Sequence, residues 1–149
     1  GFPAQIDSDM NACLVSLAMF VTAVSGAIYL AGGDCEGLSR SRALLDLMVN
    51  GVREGFGVVR ALGRPVHPFP LRVLFSWLPR WYAASYWRRF FSKREAEYIF
   101  AAHVRHASAE MQSLASECRL LLSQSGLVAP ALTQLYRAID EYAATRVRR

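Results

Sequence analysis

Between residues 41 and 60 the apolar positions recur three or four apart. Leu44, Leu45, Leu47, Met48, Val52, Phe56 and Val59 repeat at helical spacing, with Arg53, Glu54 and Arg60 among them. Ser39 or Ser41 offers an N-cap, and Gly63 followed by Pro65 an ending. The preceding segment has a different pattern. Asn11 to Gly33 contains no charged residue, so it predicts a helix buried on all sides, capped by Asp7 or Ser8 and closed by Gly32 and Gly33. It is long enough to cross a bilayer. However, Ser16, Thr22, Ser25 and Gly26 lower its hydrophobicity, and it lacks the basic flank of a membrane span or a secretory signal.

The remaining pattern continues in the same style. "PVHPFP" reads as a turn-rich connector, followed by short helices through "LRVLFSWL" and "RWYAASYWRRFF" divided at Pro79. A long helix is expected from about Lys93 to Ser125, ended by Gly126, and a last one from about Ala129 to Ala144. No run alternates with period two for the length of a convincing strand, and no repeat is visible. The expected fold is all-α: a single bundle of about six helices over residues 1–149. Gly51 and Gly55, one turn apart, suit close helix packing rather than phosphate binding, because no strand precedes them.

Composition narrows the class without changing the fold. With 149 residues, 53% hydrophobic and 19% charged, the chain is one domain and too apolar for disorder. The net charge of +5 is arginine's work, Lys93 being the only lysine. Cys13, Cys35 and Cys118 form no paired motif, as expected of reduced thiols in a cytoplasmic protein. A start at Gly1 rather than methionine fits a fragment, a processed chain or a tagged one.

Candidate chemistry gathers near the end of the chain. On a continuous helix, His103 and His106 would precede Glu110 by about two turns and one turn, and all three could share a face. Two imidazoles and a carboxylate suit zinc or iron, yet no HExxH pattern is present and another ligand would be needed, so no metal is expected. A second concentration, "WLPRWYAASYWRRFFSKR", interleaves aromatic and basic residues as nucleic-acid and anionic-membrane surfaces do. The expected reading is an aromatic core with arginines reaching to solvent, with neither nucleic acid nor membrane as a partner. A non-catalytic binding module for one of them, or a membrane-associated helical protein, is the alternative.

Three blocks resemble one family. "SAEMQSLASECRLLLSQSGLVAPALTQLY" places Glu110, Gly126 and Pro130 at the intervals found in the C-terminal domain of ketopantoate reductases (2-dehydropantoate 2-reductases), whose fold is also that of the 6-phosphogluconate dehydrogenase C-terminal domain. "REGFGVVRALGRPVHP", with Glu54 and Gly63, and "DMNACLVSLAMFVTAVSGAIYLAGGD" resemble that domain's preceding and opening helices. The resemblance covers most of the chain. It implies a helical substrate-side domain packed on an N-terminal Rossmann domain, a small 2-keto acid substrate, NADP as cofactor of the full-length protein, and a possible homodimer.

This chain has no GxGxxG after a strand, so no cofactor-binding residue is assigned in it and the domain is expected to be inactive alone. The family's acid, a lysine on the first helix, falls on Val15, and its two asparagines fall on Met19 and Ala23. Its substrate-binding serine falls on Tyr98. Glu110 remains, the residue that in the family hydrogen-bonds the substrate hydroxyl, and Tyr98 or His103 would be the substitute acid. Glu110, Tyr98 and His103 are therefore the expected substrate-binding residues, with the catalytic residue unassigned.

Overall fold

The striped segment forms α3 (Arg42–Ala61). It begins at Ser41, whose hydroxyl accepts the Leu44 amide, and closes before Gly63 at φ +77. Leu45, Met48, Val49, Val52, Phe56 and Val59 are buried, so the stripe is the inner face. The computed structural model describes residues 2–66 and 72–148, and among these it is all-α, without a strand. Residues 67–71, which hold most of the expected connector, lie outside the described residues.

The uncharged segment lies within α1 (Phe2–Leu30), with Met19, Ala23, Val24, Ala27 and Ile28 fully buried. Its start at Phe2 lies ahead of the cap expected at Asp7 or Ser8, and Pro3 sits in the first turn, where a missing amide is harmless. Gly33 ends it, donating to the Ile28 carbonyl at 2.9 Å. Cys13–Leu30 is long and apolar enough to cross a membrane by length and composition. Here its neighbours are other helices: α3, α6 (Ser108–Ser125) and α7 (Pro130–Val147).

Those helices approach closely because side chains are missing where they cross. A Cβ on Gly26 would stand 2.5 Å from the Leu135 carbonyl oxygen, one on Gly51 would collide with the Leu135 side chain, and one on Gly55 would stand 2.9 Å from Met19. The packing role expected of Gly51 and Gly55 is thus observed, and Gly26 completes the junction.

The rest departs from expectation in two places. A short extra helix, α2 (Cys35–Arg40), is capped by the Asp34 carboxylate on the Gly37 amide. The single helix expected from Lys93 to Ser125 is two. After a π-helical turn at Val73–Trp77 and α4 (Arg80–Phe91), α5 spans 94–106, with a π-helical turn at Glu97–Ala101 inside it. It stops at Ala107, with φ −105 and ψ 29. The cause is tertiary. The Tyr29 hydroxyl donates to the Val104 carbonyl at 2.6 Å and Arg146 to the Arg105 carbonyl at 2.5 Å, capturing acceptors that a continuous helix would give to Ser108 and Ala109.

Candidate functional site

The break at Ala107 disperses the expected donors. His103 and His106 are exposed on α5, and Glu110 is exposed in the first turn of α6. Tyr98, in the π-helical turn, is 79% exposed. The grooves along α1–α6 and along α2–α4 are lined by other residues. No group of three His, Cys, Asp or Glu side chains converges among the described residues.

The α1–α6 groove contains Val15, where the resemblance would put a lysine. Leu14, Ala18 and Val21 join it from α1, and Leu114, Glu117 and Leu121 from α6, around a volume of about 450 Å³. Cys118 forms the floor and is 1% exposed. Behind it the buried Tyr136 hydroxyl meets Thr22 Oγ1 at 2.9 Å and Met19 Sδ at 3.6 Å. Burial pushes the Cys118 thiol up, and it pushes the Tyr136 phenol well above its ordinary range. Both therefore hold their protons more tightly than an exposed thiol or phenol would. The groove is an apolar channel with one carboxylate, Glu117, at its wall.

Glu110 belongs to another level of the bundle. Ser25 donates to Met111 Sδ at 3.3 Å, which fixes the head of α6 beside Ser25. Ten residues of α1 separate Ser25 from Val15, about 15 Å of helix axis. Val15 and Glu110 therefore lie at different levels of the bundle.

Three other residues that carry the resemblance meet elsewhere. The Glu54 carboxylate on α3 accepts the Ala131 amide at 3.3 Å and the Leu132 amide at 2.8 Å, capping α7 from across the fold. Pro130 opens that same helix, and Gly126 ends α6 in the left-handed region at φ +71. Glu54, Gly126 and Pro130 thus work together on one corner of the architecture. A second acid, Glu97, was not singled out in the sequence. It accepts the Cys35 amide at 2.9 Å and Arg105 Nη1 at 2.8 Å, and Arg105 also reaches the Gly33 carbonyl at 2.8 Å. Burial, reinforced by Glu97, pushes the Cys35 thiol up to about 12. No spacing in the sequence announces this cluster, because its members come from two segments some sixty residues apart, Gly33 and Cys35 on one side and Glu97 and Arg105 on α5.

The aromatic and basic segment divides between core and surface. Trp87 and Phe91 are buried, and Trp87 stands within 5.8 Å of both Phe20 and Phe75, centroid to centroid. That half follows the expected core reading. The other half does not, since Trp77 is 64% and Trp81 65% exposed, with Tyr82 and Tyr86 close to half exposed. Beside Trp81 a groove of about 290 Å³ separates α4 from α2, and its walls include Ser39, Arg40, Asp46, Ser85 and Arg88.

No protein-family model matches the chain, and neither a curated protein nor a solved structure matches it significantly.

Proposed function

We propose that this chain is the helical, substrate-side domain of a two-domain NADP-dependent oxidoreductase resembling the ketopantoate reductases, with the usual proton donor missing from its first helix. The observation that supports this most is the convergence of the matched residues. Glu54 and Pro130 come from two blocks that resemble the same family, and the carboxylate of one caps the start of the helix that the other opens. Intervals preserved by such a structural need fit a shared architecture. The acid–base chemistry would then come from outside α1, whose Val15 position lies in an apolar groove. Glu110, exposed at the head of α6, is free to face a second domain and to accept a hydroxyl from a small 2-keto or 2-hydroxy acid.

The test has two stages. The 149-residue chain should show no saturable NADPH binding at micromolar concentration, because it lacks the glycine-rich turn and helix terminus that receive a pyrophosphate. The full-length reading frame should contain a strand followed by GxGxxG upstream of Gly1, and its product should oxidise NADPH with a small 2-keto acid. Tight NADPH binding by the chain alone, or an upstream frame without that motif, would overturn the proposal.

A further inference from the structure

The outer face of α4 carries chemistry that the reductase reading does not use. Ala83, Ala84, Trp87 and Phe91 turn inward. Trp81, Tyr82, Ser85, Tyr86 and Arg89 follow one another at helical spacing on the opposite side, and with Phe90 and Lys93 they enclose a shallow depression. Arg88 borders the same face toward α2. Among the described residues Arg88, Arg89 and Lys93 form no ion pair, so three positive charges and three exposed rings share one helical surface.

Charge selects an anionic partner, and geometry selects its kind. The ring planes of Trp81 and Tyr82 stand at 75° to each other, whereas successive bases of a single strand stack on parallel planes. A convex helix mixing Trp and Tyr with Arg and Lys instead suits a bilayer interface. There amphipathic rings settle at headgroup depth and cations meet anionic lipid.

We propose that this face of α4 is a peripheral membrane-docking surface for anionic phospholipid. Trp81, Tyr82 and Tyr86 enter the headgroup layer, and Arg88, Arg89 and Lys93 pair with lipid phosphates. This replaces the expectation of no membrane partner and stands independently of the reductase reading.

The experiment uses the 149-residue chain with vesicles of phosphatidylcholine alone or mixed with phosphatidylserine, read by co-sedimentation and tryptophan emission. Binding and a blue shift are expected only with phosphatidylserine, and both should fade as salt rises. The double charge reversal Arg88→Glu with Arg89→Glu should weaken binding about tenfold or more. Trp81→Ser should remove most of the blue shift while circular dichroism shows the helices intact. Equal binding to both vesicle types, or binding indifferent to these substitutions, would overturn the proposal. So would preferential capture of a single-stranded oligonucleotide through the same residues, or self-association that Trp81→Ser abolishes.

Discussion

Where α1, α3 and α7 cross, three glycines let the helices approach until one added carbon would collide, while along α4 Trp81 stands 65% in solvent. Both regions are rich in apolar residues. At the crossing the helices pack without room for a further carbon, and the polar groups behind it, Thr22 and Tyr136, satisfy each other. At α4 the apolar surface exceeds what the core takes up, and unpaired cations accompany it. The contrast separates residues that hold the fold from residues left available to a partner.

The severest test of the crossing is Gly26→Val, because the atom it meets is the Leu135 backbone oxygen at 2.5 Å, which cannot swing aside. A loss of about 3 kcal/mol or more is expected in denaturant unfolding. Glu54→Ala should follow at about 2 kcal/mol, since it strips a charged cap from α7. Alkali acts on the buried side as well. The Cys35 thiol is raised from 9.0 to about 12, and the unfolded thiol gives up its proton first. Its contribution is therefore complete below pH 9 and is lost as pH rises toward 12, so urea midpoints should fall across that window.

Gly57 provides the control, a glycine within α3 with nothing within 4 Å of an added Cβ. Gly57→Ala should stabilise by about 0.5 to 1 kcal/mol through helix propensity. Destabilisation there would mean that glycine in this helix is chosen for something other than close approach. Smallest of all, Glu110→Gln should change stability by less than about 0.5 kcal/mol, being an exposed charge. A larger loss would move Glu110 from the accessible group to the architectural one.

The parts of the fold legible from sequence are those set by local pattern. The α3 stripe, the burial of α1, the paired Gly51 and Gly55, and the Gly126 to Pro130 turn all follow from spacing and from backbone conformations that few residues adopt. The break at Ala107 does not, because Tyr29 and Arg146 produce it from the first and last helices. The exposure of Trp81 and Tyr86 was equally hidden. α4 is aromatic on both faces, so its periodicity gives no contrast by which to separate them from Trp87. The candidate site suffered most. Whether Val15 and Glu110 share a level depends on how α6 lies along α1, and spacing within separate helices carries no information on that.

The first and last helices lie side by side: the Tyr29 and Tyr142 rings stack at 4.1 Å and the Thr22 and Tyr136 hydroxyls meet at 2.9 Å. During synthesis, α1 therefore emerges from the ribosome long before the helix that covers it. Until residues near Tyr142 are made, an uncharged stretch from Asn11 to Gly33 lacks one wall of its final surroundings. The nascent polypeptide thus passes through a phase in which its most apolar segment is open to chaperones, to aggregation or to a bilayer.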